Sequence, residues 1–183
     1  MHKTSVLILP GLYNSGPKHW QSVWESMFPN MKRVHQCDWD TPVCDDWVTQ
    51  LNSAVEKSGK NVVLVAHSLA CVLVGRWVEK HSQEIRGALL VAPSDTEAEI
   101  YPTGTTGFTP MPVCRFPFPS KVVVSSNDIY VSVQRARFFA ECWGSELIMA
   151  GALGHLGADS KLGSWPMGLD LLSKLSGGVY ASA

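Results

Sequence analysis

Val62-Val63-Leu64-Val65-Ala66-His67-Ser68-Leu69-Ala70-Cys71-Val72-Leu73 holds the pattern from which the fold class follows. Its first five residues are apolar and rich in β-branched valine. They read as a short strand buried on both faces, as a parallel sheet covered by helices requires. The polar pair His67-Ser68 breaks the run, and residues 69–81 then carry the spacing of an apolar helix. Strand, serine, helix is the context of a nucleophile elbow. The usual elbow pattern, G-x-S-x-G, keeps both neighbours small because the serine backbone is strained. Here alanine holds both glycine positions, Ala66 and Ala70. Alanine is the next-smallest residue, so the elbow stays sterically open. Taken alone, the pentapeptide is a weak signal, and the plainer reading is that Ser68 is an ordinary N-cap.

The same grammar recurs along the chain on both sides. Val6-Leu7-Ile8-Leu9 stops at Pro10-Gly11, residues 88–91 stop at Ala92-Pro93, and Val122-Val123-Val124 stops before Asn127-Asp128. Weaker strand patterns lie at 33–36 and 146–149. Helical spacing covers 20–27, 45–57, 69–81, 131–142 and 166–175. Strands alternating with helices predict an α/β fold: about six mainly parallel strands, helices on both faces and no large cap domain. One domain is expected over residues 1–176, with 177–183 as a flexible tail. Residues 92–120 carry six of the eleven prolines and form the one long irregular stretch. They read either as a short lid or rim beside a pocket, or as a surface loop held down by its own aromatics.

In such sheets the chemistry collects at the carboxyl ends of the strands. A serine hydroxyl becomes a nucleophile only beside a base, and the base needs an acid to hold its tautomer. The strand at 122–124 delivers Asp128, and the strand at 146–149 is followed by Gly154-His155. Ser68, Asp128, His155 is the chain order of α/β-hydrolases rather than of chymotrypsin or subtilisin. Each residue has a plainer role singly, but together they form a candidate Ser-His-Asp triad. Asp95, which also follows a strand, is the runner-up acid. Asp159 breaks the order, and Cys71 reads as core. His81 reads as a solvated or C-capping residue, and the His67 side chain is expected to point away from Ser68. The backbone N–H groups of Leu69 and Leu12 are the candidate oxyanion donors, the second from the loop after the first strand. Candidate pocket-lining residues are Tyr13, Asn14, His19, Trp20, Phe108, Ile129 and Leu156.

Composition narrows the classes. Fifteen Lys plus Arg against sixteen Asp plus Glu give a net charge of −1 over 183 residues. With no basic run, neither a nucleic-acid groove nor an anionic membrane surface is expected. Five widely spaced cysteines with no C-x-x-C pair fit free thiols in a reducing compartment. The run at 6–9 is too short for a signal-peptide core and no run reaches transmembrane length, so a cytoplasmic protein is expected. The loop Pro10-Gly11-Leu12-Tyr13-Asn14-Ser15-Gly16-Pro17 matches neither G-x-G-x-x-G nor a P-loop, and no metal-ligand spacing appears. No cofactor and no metal are therefore expected. Of the seven tryptophans, Trp77 and Trp143 sit on helices and read as core. Trp20, Trp39 and Trp165 follow strand ends on the edge where the triad would assemble.

An extended set of motifs carries a resemblance. It comprises Pro10-Gly11, Ser15-Gly16-Pro17-x-His19-Trp20-Gln21, Trp24-Glu25, Asp38-Trp39, His67-Ser68-Leu69, Asn127-Asp128, Gly154-His155 and Gly163-x-Trp165-Pro166-x-Gly168. The chain resembles the small serine hydrolases related to retinoblastoma-binding protein nine and the bacterial YdeN proteins. The resemblance implies a compact hydrolase core, with Ser68, Asp128 and His155 as triad. Two positions depart from the family pattern: Ala70 stands where the elbow has glycine, and Ile129 where proline often follows the aspartate. The Leu-x-Cys-x-Glu segment that names the human relative is absent, so retinoblastoma protein is not an expected partner.

The expected function is hydrolysis of small or mid-sized acyl (carboxylic) esters through an acyl-enzyme, the partner being a small-molecule acyl substrate. Three alternatives stand beside it: an interaction module with little turnover, an amide or thioester hydrolase, and an acyl transferase on the same triad.

Overall fold

The computed structural model describes residues 4–180. In chain order its elements are β1 (Ser5–Leu9), α1 (Trp20–Met27), β2 (Met31–Arg33), α2 (Cys44–Ser58), β3 (Val62–His67), α3 (Leu69–Lys80), β4 (Gly87–Val91), β5 (Ser120–Val124), α4 (Val133–Trp143), β6 (Glu146–Met149) and α5 (Pro166–Ser176). A single 3₁₀ turn spans Ala158–Ser160. The strands form one sheet in the order β2-β1-β3-β4-β5-β6, and every adjacent pair is parallel.

The unbroken apolar strands follow from burial on both faces. Leu7, Leu64, Leu90 and Val122 join the core beneath α2, α3 and α4. The alternating residues Val6, Val65, Leu89 and Val123 join the core beneath α1 and α5. The period-2 geometry of a strand sends neighbours to opposite faces, and here both faces are dry. Chain order reverses between β1 and β3, the sheet's switch point. Gln21, wholly buried, clamps the strand ends there by donating to the carbonyls of Leu9 and Val65, both at 3.1 Å.

Two expectations shift, at the edge strand and the tail, and residues 92–120 are held down by their own aromatics, one of the two readings expected for them. The edge strand lies at Met31–Arg33, earlier than 33–36. A tight turn, with the Met31 N–H bonded to the Phe28 carbonyl, brings Met31 opposite Val6, and the ladder ends at the Ile8–Arg33 pairing. Residues 92–120 are bound to the body: Phe108, Met111, Phe116 and Phe118 are buried, and Trp143 Nε1 donates to the Pro112 carbonyl at 2.8 Å. The parts of this segment that reach the pocket are Ser94, Tyr101 and Pro102. Of the expected flexible tail, Gly177 closes α5 in the left-handed conformation at φ 65°. Tyr180 is buried, accepting a 2.8 Å hydrogen bond from Asn30 Nδ2 at its hydroxyl. Residues 181–183 lie outside the described residues. No described helix is long and apolar enough to cross a membrane.

Candidate active site

The elbow forms where β3 ends at His67 and α3 begins at Leu69. Ser68 between them adopts φ 59°, ψ −125°, a conformation that L-residues rarely hold. Its hydroxyl caps no helix amide. It lies 2.8 Å from His155 Nε2 and 2.8 Å from the hydroxyl of Ser94. The sharp turn requires small neighbours, and Ala66 and Ala70 are both fully buried. It also requires Gly11: a Cβ there would stand 2.7 Å from Ser68 Cβ and 2.8 Å from the His67 carbonyl oxygen. The β1 loop is thereby pressed against the elbow. Along it the Tyr13 N–H bonds to the Trp39 carbonyl and the Asn14 N–H to that of Gly11. The Leu12 N–H makes no backbone hydrogen bond among the described residues.

Beyond β5, Asp128 turns inward with its side chain wholly buried. One carboxylate oxygen accepts the Tyr130 N–H at 2.9 Å, and both face His155 Nδ1, at 2.8 and 3.0 Å. Beyond β6 the chain passes through Gly151 (φ 88°) and Gly154 (φ 61°) to His155. Asn127 joins the two loops, its side-chain oxygen accepting the Gly154 N–H at 2.7 Å. Two further groups hold the His155 segment from the α1 side. His67 Nε2 lies 2.9 Å from the His155 carbonyl, and Trp20 Nε1 donates to the Leu156 carbonyl at 2.8 Å. Asp128, His155 and Ser68 thus form one continuous hydrogen-bonded chain. Asp95 takes no part in it, since its carboxylate is bound by Arg135 at 2.6 and 3.0 Å.

The sequence profile of the serine hydrolase family matches residues 6–174. This chain belongs to the serine hydrolase family. The structure of a protein described as a YdeN-like hydrolase from Pectobacterium atrosepticum is 29% identical and superimposes with a TM-score of 0.83, covering 96% of this chain and 91% of that one. The ydeN gene product from B. subtilis shares 18% identity at a TM-score of 0.72, over 94% of this chain and 98% of that one. A monoacylglycerol lipase from Paleococcus ferrophilus shares 12% at 0.69, over 96% of both chains. At these lower identities the likeness is one of fold. No curated protein sequence matches the chain.

In this serine hydrolase a cavity of about 140 Å³ opens over Ser68. Of the expected lining residues, Tyr13, Asn14 and His19 border it, as does Leu12. Ile129, exposed, borders a second cleft on the other side of His155. Trp20, Phe108 and Leu156 do not line the pocket. Trp20 packs edge-on against Trp24 at 4.7 Å and Phe108 against Trp47 at 5.6 Å, while Leu156 is wholly buried beneath α1 and α5. Their apolar area is worth more inside the core than on a wet cavity wall.

Sequence reasoning missed five pocket residues of the hydrolase: His67, Ser94, Tyr101, Pro102 and Tyr130. The His67 ring lies alongside the chemistry, with ring centres 5.0 Å from His155 and 4.7 Å from His19. Strand alternation carried the signal, because His67 shares a face with Val63 and Val65. Burial, then the neighbouring His155 and His19, holds the His67 ring well below the usual histidine range. Burial, then the charge of Arg33 and then His155, lowers His19 to about 4. Both rings are therefore neutral at physiological pH. Among the described residues no group of three or more His, Cys, Asp or Glu side chains is gathered for a metal ion.

Proposed function

We propose that this serine hydrolase cleaves small acyl esters through a covalent acyl-enzyme on Ser68, with His155 as general base and Asp128 as its orienting acid. The observation that carries the reading is the unbroken chain from Asp128 through His155 to Ser68, each link at 2.8 Å, ending on a strained elbow. Ser68 Oγ attacks the acyl carbon as its proton passes to His155 Nε2, and the carbonyl electron pair moves onto oxygen. The amides of Leu69, at the positive end of α3, and of Leu12 receive that oxyanion. As the intermediate collapses, the ester C–O bond breaks and the leaving alkoxide takes the proton from His155. Water then repeats the sequence at the acyl carbon and frees the acid.

The size of the cavity supports a small acyl group. An apolar cavity of similar volume in another protein takes a benzene ring, so about six non-hydrogen atoms fit here. A fluorophosphonate probe is expected to label Ser68, with no labelling of Ser68→Ala. Rates on p-nitrophenyl esters are expected to peak at short chains and fall by octanoate. Labelling that persists in Ser68→Ala overturns the assignment, and a fully folded protein that turns over no activated ester overturns the enzymatic reading in favour of an interaction module.

A further inference from the structure

One hydroxyl at the site, that of Ser94, touches the nucleophile from outside the Asp128–His155–Ser68 chain. Asp128 is an acceptor, so the proton between it and His155 sits on Nδ1. In the neutral ring Nε2 then has only a lone pair, and the Ser68 hydroxyl must donate to it. A hydroxyl has one proton. The 2.8 Å contact between Ser68 Oγ and Ser94 Oγ is therefore made with the proton of Ser94.

Ser94 is built for that position. The chain leaves β4 through Ala92 at φ 49°, a left-handed conformation, and Pro93 follows. The next residue is anchored on both sides: the Asp95 N–H bonds to the Tyr130 carbonyl at 3.0 Å and its carboxylate to Arg135. Ser94 is only 2% exposed and borders the cavity.

We infer that Ser94 is a further catalytic residue, a fixed donor to the nucleophile oxygen; this rests on the reading of Ser68 as nucleophile. As Ser68 loses its proton to His155, its oxygen gains negative charge before the bond to the acyl carbon forms. The Ser94 hydrogen bond then changes from a neutral to a charge-assisted one, roughly twice as strong. That gain exists only on the way to the transition state, so it raises kcat without tightening substrate binding. Ser94 keeps its proton throughout, while the proton of Ser68 goes by way of His155 to the leaving alkoxide. The same bond assists when Ser68 departs from the acyl-enzyme, since its oxygen is charged there too.

Ser94→Ala and Ser94→Thr, beside wild type and Ser68→Ala, test the inference by fluorophosphonate labelling rate, p-nitrophenyl acetate kinetics and melting temperature. Ser94→Ala is expected to lower labelling rate and kcat together by about tenfold, with KM and melting temperature unchanged, and Ser94→Thr to restore most of the loss. Wild-type labelling rate and kcat in Ser94→Ala overturn the role of Ser94 while leaving Ser68 as nucleophile. A loss accompanied by a lower melting temperature and not restored by threonine overturns it in favour of packing. A wild-type protein that never labels overturns the Ser68 reading, and Ser94 falls with it.

Discussion

The protein carries two buried neutral histidines, and acid should unfold it through them. His19 is 4% exposed and its folded value is lowered to about 4. Unfolded, the ring takes a proton below about 6.5. The sign is then set: above pH 6.5 both states are neutral and His19 is indifferent to pH. Below it, only the unfolded chain binds the proton, so stability falls with acid until the folded ring also titrates near pH 4. Each pH unit within that window removes about 1.4 kcal/mol through His19. Between pH 7 and pH 5, His19 alone withdraws about 2 kcal/mol, or roughly 4–8 °C of melting temperature in a chain of this size. His67 acts in the same direction. The clean perturbation is His19→Asn. His19 is the N-cap of α1, its Nδ1 accepting the Gln21 N–H at 3.2 Å, and asparagine is a strong N-cap that does not titrate here. Urea unfolding of both proteins at pH 7 and pH 5 gives the comparison. The variant loses stability at pH 7 from the missing ring, but its pH 7 to pH 5 difference is expected to shrink by about 2 kcal/mol. An undiminished difference shows that His19 is not the group that titrates in this window.

Three other outcomes are expected. Ser68→Gly, free of the penalty at φ 59°, should be more stable than Ser68→Ala by about 1 kcal/mol in chemical denaturation, with neither able to label. Asp128→Asn should lower kcat by about 10⁴ with little change in KM, because the amide can hold the wrong His155 tautomer. Asp95→Asn should instead lower stability by about 2 kcal/mol through the weakened Arg135 pair and leave kcat within a few fold of wild type, measured by unfolding and ester hydrolysis side by side.

Strands buried on both faces were legible because nothing polar interrupts them: Val62 to Ala66 and Ala88 to Val91 are continuous apolar runs bounded by polar or turn-forming residues. β2 was not. It has three residues at the sheet edge, with Lys32 facing solvent, and such a fragment has too little periodicity to declare itself. At the site, residue type and chain order singled out Ser68, Asp128 and His155, which the structure brings together. Ser94 left no comparable trace, because its contact depends on the left-handed turn at Ala92 rather than on any pattern of residues. The misplaced Trp20 is different: its spacing from Trp24 sets both indoles on one helix face, and that face is the core. An aromatic beside a site invites a pocket role, but helical phase outranks proximity.

The indoles beneath α1 and α5 give the molecule a built-in optical reporter. Trp20, Trp24 and Trp165 pack with ring centres 4.7, 4.8 and 5.9 Å apart, and their contacts reach directly into the segment after His155: Trp20 Nε1 to the Leu156 carbonyl, Trp24 Nε1 to that of Ser164. Chromophores this close couple electronically, so their near-ultraviolet circular dichroism registers the spacing of that segment. Loosening of the histidine loop therefore registers as a spectral change, without a label.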